Sequence, residues 1–138
     1  MARIDEIRVG DSAEMAKTVT ESDIALFAGV TGDFNPVHID AVAAEKSMFG
    51  GRIAHGMLSA GFISAVLGMR LPGPGSIYLS QTLRFTKPVR IGDTVTARVE
   101  VLEVITAKRR VRLATVCRNQ NNETVVEGEA VVMIERRG

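Results

Sequence analysis

Tryptophan is absent from this 138-residue chain, tyrosine occurs once, and aromatic residues make up only 4 %. Aliphatic side chains must therefore fill any core. A single cysteine, Cys117, excludes an intrachain disulfide and any cysteine-rich metal cage. There are two histidines, His38 and His55. Without the helical spacing of a metal-binding pair they give no reason to expect a metal or a metal cofactor. Charge of one sign is missing too, with 17 basic residues against 16 acidic ones. Such a balance provides no field for gripping nucleic acid or an anionic membrane. The longest apolar stretch, residues 57–71, holds two serines and an arginine. It falls short of the roughly 20 residues a bilayer requires. The first eight residues lack the apolar run of a secretion signal. Glycine-rich phosphate loops and dinucleotide fingerprints are absent, and Gly73-Pro74-Gly75 reads as a turn. The expectation is a soluble cytoplasmic protein, with no cofactor and no nucleic-acid or membrane partner.

Apolar residues nonetheless reach 46 %, and mean hydropathy is +0.14. A chain of this length forms one domain, residues 1–138, and buries roughly 65–70 % of its unfolded surface without metal or disulfide support. Its two halves differ in texture. Eleven of the 17 valines lie from Val89 onward. Val95, Ala97, Val99 and Val101 alternate with Thr96, Arg98 and Glu100, the period of a half-buried antiparallel strand. Further strands are predicted at 76–86, 108–119 and 124–135, the last two joined by the turn Gln120-Asn121-Asn122. Cys117 falls inside one of these strands, where it suits a small buried hydrophobe.

The first half reads as helical. Thr20-Glu21-Ser22-Asp23 is an N-cap signature, followed by Ile24, Phe27 and Val30 on one stripe. Gly29, Gly32 and Pro36 end that helix. Asp40 is placed to cap a short helix over 41–48, stopped by Gly50-Gly51. Residues 56–70 form a third helix, apolar nearly all round, which must be enclosed. The curved antiparallel sheet that follows is the natural enclosure. The fold class is α+β, a sheet wrapped around one long helix.

Chemistry concentrates in residues 31–40. Asp33 and His38 are five apart, which is not a same-face helical spacing, so they converge only if Asn35-Pro36 turns the chain. Together they offer an acid and a base to one water. Read locally, Asp33 is equally a turn residue and His38 a structural one. Gly56 stands where the buried helix begins, so its N–H belongs to the unpaired donors of a helix N-terminus. It is a candidate oxyanion donor, or simply a glycine required by tight packing. His55 is either a packing or capping residue or a chemical one. Ser64 lies about 12 Å further along the helix and cannot serve the same oxyanion. It either orients a residue from another segment or returns its hydroxyl to the carbonyl one turn back. The basic run Lys108-Arg109-Arg110-Val111-Arg112 has no interleaved aromatics and reads as a solvated strand and turn.

The run Gly32-Asp33-Phe34-Asn35-Pro36-Val37-His38-Ile39-Asp40, followed by His55-Gly56-Met57, resembles the hydratase motif of MaoC-like hot-dog proteins. It is most similar to the small bacterial (R)-specific enoyl-CoA hydratases. The likeness continues through Gly73–Leu79, Phe85, Pro88-Val89 and Gly92-Asp93. The resemblance implies a hot-dog fold, a homodimer joined edge to edge, and an acyl-CoA substrate bound in tunnels at the subunit interface. It implies Asp33 and His38 as the catalytic dyad, Gly56 as oxyanion donor, and Ser64 as support, with Asn35 and His55 as further supporting candidates. The implied reaction is cofactor-free, reversible syn hydration of a trans-2-enoyl-CoA to the (R)-3-hydroxyacyl-CoA. Asp33 is taken as the base and His38 as the partner that orients water and relays the proton. The family serves both fatty-acid degradation and polyester monomer supply. Arg84, Lys87, Arg109 and Arg110 are candidates for the CoA phosphates.

A dehydratase acting on acyl-carrier-protein or branched acyl-CoA thioesters would use the same groups in reverse. A hot-dog thioesterase would need a carboxylate beside the long helix, yet residues 51–74 contain no Asp or Glu. A non-catalytic acyl-CoA-binding domain would not require an intact Asp/His pair.

Overall fold

Alternation builds the sheet. Val95, Ala97, Val99 and Val101 are buried, as are Val111, Leu113, Thr115 and Cys117 on the next strand. The pairing register stacks these sets in rows: Ala97 opposite Cys117 and then Val126, Val101 opposite Leu113 and then Ala130. Each row presents a continuous apolar ridge on one face, while Arg98, Glu100 and Arg112 stand on the other. The computed structural model describes residues 3–136. Its strands are β1 (Ser12–Thr18), β2 (Ser76–Gln81), β3 (Arg84–Phe85), β4 (Thr94–Ile105), β5 (Arg110–Arg118) and β6 (Thr124–Ile134). They form one six-stranded sheet in the order β1-β4-β5-β6-β2, with β3 also on β6. All named pairings are antiparallel.

Four helices precede most of the sheet: α1 (Glu21–Thr31), α2 (Pro36–Ile39), α3 (Ala41–Glu45) and α4 (Gly56–Met69). Helix α4, about 21 Å long at 1.5 Å per residue, packs against β4, β1 and β5. Its buried residues, Ser59, Ala60, Ile63, Val66 and Leu67, recur at three- and four-residue spacing. Burying side chains such as Ile63, Val66 and Leu67 contributes about 1.5–3 kcal/mol each. Cys117 faces this helix, its Sγ 3.5 Å from the Ser59 carbonyl. Burial pushes its thiol up to about 12, so it behaves as the small hydrophobe expected.

Several local expectations are corrected. Residues 12–18 form an edge strand, not part of an all-helical first half. Ser-Ala-Glu-Met-Ala-Lys-Thr is rich in helix formers, and its strand state comes from pairing with β4, as tertiary context overrides propensity. Residues 36–39, where no helix is expected, make one helical turn, and α3 ends at Glu45 instead of Met48. The expected strand over 76–86 breaks into β2 and β3, with a register shift between Tyr78 and Ser80. Arg110 opens β5 because Thr106–Lys108 forms a 3-10 turn. Helix α4 is not wholly enclosed by this chain. Met57, Gly61 and Ser64 form an exposed stripe along it.

At the break between β2 and β3, the Thr82 backbone lies against β6. A Cβ on Gly128 would sit 1.8 Å from the Thr82 carbonyl oxygen. Gly128→Ala should therefore destabilise the fold by about 3 kcal/mol and lower the melting temperature in thermal unfolding. An unchanged transition would show that the approach relaxes freely.

The capping box of α1 makes a second prediction. The Thr20 hydroxyl accepts the Asp23 N–H at 3.1 Å, and Asp23 Oδ2 accepts the Thr20 N–H at 2.9 Å and Lys17 Nζ at 2.8 Å. Burial works against the Asp23 charge, but bonds from Lys17 and Thr20 outweigh it and hold the carboxyl below its ordinary value of 3.8. A depressed carboxylate stabilises the fold fully above the unfolded value, and that gain is lost as pH falls through the folded one. The stability difference between wild type and Asp23→Asn should thus be constant from pH 7 to about 5. It should shrink below about pH 4 in urea titrations.

Candidate active site

Local hydrogen bonds shape the turn between α1 and α2. Gly32 caps α1, its N–H on the Ala28 carbonyl at 2.8 Å. Asp33 Oδ1 then accepts the Asn35 N–H, and Asn35 Oδ1 accepts the Val37 N–H, both at 3.2 Å. Asn35 is thus the N-cap of α2, with Pro36 in its first turn. These successive caps reverse the chain, as the Asn-Pro pair predicts. They bring Asp33 and His38 to one pocket despite their five-residue spacing. That pocket, about 300 Å³, is lined by Phe27, Thr31, Asp33, His38, His55 and Gly56.

His38 is buried, and its Nδ1 lies 2.8 Å from the Ile53 carbonyl. A carbonyl only accepts, so Nδ1 carries a proton, and in the neutral imidazole the lone pair is on Nε2. His55 has the opposite arrangement: its Nε2 donates to the Asp33 carbonyl at 2.9 Å. Its Nδ1 is buried without a partner among the described residues, a state costing about 1–3 kcal/mol. The two imidazoles stack at 3.9 Å between centroids with planes 28° apart, and Phe27 lies 4.7 Å from His55. The sequence left His55 between packing and chemistry. The structure puts it against both members of the candidate dyad.

Asp33, His38 and His55 each place one potential ligand atom within 4.8 Å of the others. One nitrogen of each ring is engaged with a carbonyl.

Gly56 begins α4, and neither it nor Met57 donates to a backbone carbonyl among the described residues. Both readings of Gly56 find support. Its N–H is unclaimed at a helix N-terminus, and a Cβ would lie 2.6 Å from Phe85 Cδ1. Ser64 is not brought to the dyad within this chain. It lines a separate cleft of about 420 Å³ that shares Phe27 and Met57 with the Asp33 pocket. Its hydroxyl makes no hydrogen bond among the described residues, including the expected bond to the preceding turn. A third cleft of about 560 Å³ shares His38, His55, Gly56 and Met57 with the dyad pocket. Of the four cations considered for CoA phosphates, Lys87 alone lines this cleft among the described residues. It is ion-paired with Glu123, whose carboxyl is held below its ordinary range chiefly by that bond.

Arg52 carries no motif signal, yet it enters the site. Its Nε donates to the His38 carbonyl at 2.6 Å, and its Nη1 pairs with Glu21 Oε1 at 2.5 Å. Only the fold places a residue 14 positions away against that carbonyl, so no spacing rule would find it.

The MaoC-like domain model matches residues 8–126. The chain is 55 % identical to an (R)-specific enoyl-CoA hydratase of Rhodospirillum rubrum, over 97 % of this chain and 92 % of the relative. It is 49 % identical to a 3-hydroxybutyryl-CoA dehydratase of Methylorubrum extorquens, over 96 % of this chain and 84 % of that one. Among solved structures, the unliganded R-hydratase PhaJ1 of Pseudomonas aeruginosa matches with a TM-score of 0.92 and 51 % identity, covering 97 % of this chain and 86 % of the other. The sheet, the α4 scaffold and these likenesses together make the chain a member of the MaoC-like domain family with the hot-dog fold.

Proposed function

We propose that this chain is an (R)-specific enoyl-CoA hydratase, a hydro-lyase that adds water reversibly to a trans-2-enoyl-CoA. Residues 1–138 act as a single domain in the cytoplasm. The observation that carries the reading is the convergence of Asp33 and His38 in one pocket beside the unclaimed N–H of Gly56. A thioester oxygen accepting that N–H gains stabilisation as negative charge develops on it, which makes C3 electrophilic. Water held by the Asp33 carboxylate and the lone pair on His38 Nε2 attacks C3. One water proton passes to the dyad, and one proton from the dyad reaches C2 on the same face, so both groups end as they began. Asn35 supports Asp33 by fixing the turn, and His55 supports both members by contact. CoA enters along the cleft bordered by Lys87.

The second part of the proposal is a homodimer. The exposed stripe of α4 adjoins β2, whose outer edge is unpaired in the sheet order. Ile77, Tyr78 and Leu79 on that strand are 40 %, 41 % and 43 % exposed. Added Cβ atoms at Gly61 and Gly68 would meet nothing within 4 Å. A second copy would cover this face and could bring a further group to Ser64. Sedimentation at twice the chain mass is expected; a monomer at micromolar concentration would remove this part.

Crotonyl-CoA should lose its conjugated enoyl absorbance on incubation, giving the (R)-3-hydroxy product. Free CoA would indicate a thioesterase instead, and an (S) product would exclude the family mechanism. Asp33→Asn and His38→Ala should each lower kcat by at least ~10²-fold with the thermal transition retained. Near-normal turnover in both variants would remove the dyad from the chemistry.

A further inference from the structure

The caps within the turn carrying Asp33 and His38 reverse the chain, and their reach is local. Residues 33–36 are exposed, and α2 is a single helical turn. Beyond its bonds to the adjoining helices α1 and α3, the hydrogen bonds that reach the turn among the described residues come from one short segment, Arg52 to His55. The Ile53 N–H meets the Val37 carbonyl at 3.2 Å. The Ile53 carbonyl takes the His38 Nδ1 proton at 2.8 Å. Arg52 Nε holds the His38 carbonyl at 2.6 Å, and His55 Nε2 holds the Asp33 carbonyl at 2.9 Å. Each end of the turn is thus gripped by a different side chain.

We propose that Arg52 and His55 are positioning residues, two jaws of a clamp that sets Asp33 against His38. The inference rests on the catalytic reading of that pair and extends it to residues that touch no reacting atom. His55 is poorly explained as filler. Phenylalanine or leucine would occupy its place without stranding a buried nitrogen, whereas the imidazole secures one carbonyl and stacks on the other dyad member. Arg52 is likewise more than half of a surface ion pair. Its side chain is only 16 % exposed, while Glu21 is 70 % exposed. Exposed pairs of this kind contribute little, whereas a guanidinium N–H on a carbonyl is a charge-assisted bond. Displacements of about an ångström in a catalytic pair can cost about 10²-fold in rate.

Three variants of the full chain test the clamp. His55→Phe keeps the ring and loses the donor, His55→Gln restores a donor, and Arg52→Met removes the guanidinium. His55→Phe and Arg52→Met should lower kcat on crotonyl-CoA roughly 10- to 100-fold. KM should stay within about threefold, and His55→Gln should recover most of the loss. An activity-independent measurement accompanies these. With two histidines in the chain, nitrogen-15 spectra of the neutral protein should report one Nδ1–H and one Nε2–H imidazole. In Arg52→Met the His38 signals should move toward a mixture of tautomers. If one variant fails to fold, the other carries the test. Unchanged His38 tautomer in Arg52→Met, with kcat within about twofold of wild type in both variants, would overturn the clamp. Should Asp33→Asn and His38→Ala stay active, the catalytic reading fails while the spectra still decide the geometry.

Discussion

Two residues, Ile53 and Ala54, join the parts of this molecule that matter for chemistry. The Ala54 N–H bonds the Val89 carbonyl at 2.7 Å, and Ile53 bridges to Arg90, fixing the segment to the connection ahead of β4. The same two residues run directly into α4, whose buried face is held by the sheet. From the other side Ile53 receives the His38 imidazole. The sheet therefore fixes α4, α4 fixes the segment before it, and that segment fixes the turn bearing the polar groups. A polar site on an exposed turn acquires its order from an apolar core.

The arrangement also explains an uneven distribution of polarity. Within the described core the hydrophobic cluster is aliphatic, built from Val, Ile, Leu and Ala with Cys117. Buried polar side chains are few: His38, His55, Ser59 and Thr115. Both histidines lie at the α4 N-terminus, where helix geometry leaves donors unpaired and favours developing negative charge. The two buried imidazoles thus sit where a charge-stabilising element already exists.

The legibility of the sequence follows the range of the forces involved. Strands β4 and β5 were readable because burial alternates along them, and β6 because it alternates from Glu129 onward. The capping box at Thr20 and the cap at Asp40 were readable because their partners lie within three residues. The edge strand β1 was not, since its state is set by β4, about 80 residues away in the chain. Asp33 and His38 stood out through their combined motif, while their convergence depended on the caps at Asp33 and Asn35. The contacts of Arg52 and His55 span 14 and 22 residues and end on carbonyls, groups every residue carries. Nothing in residue type marks such a bond. Ser64 illustrates the converse: the motif pointed to it, and the fold of one chain sets it in a neighbouring cleft.

The burial of Cys117 has a practical consequence. A thiol that ionises only at about 12 offers almost no thiolate to alkylating or disulfide-exchange reagents at neutral pH. The folded chain should therefore react only slowly with maleimides. A single cysteine introduced on its surface would accept a spin label or fluorophore with little competition from Cys117, and distances between labelled copies could be measured against a low background.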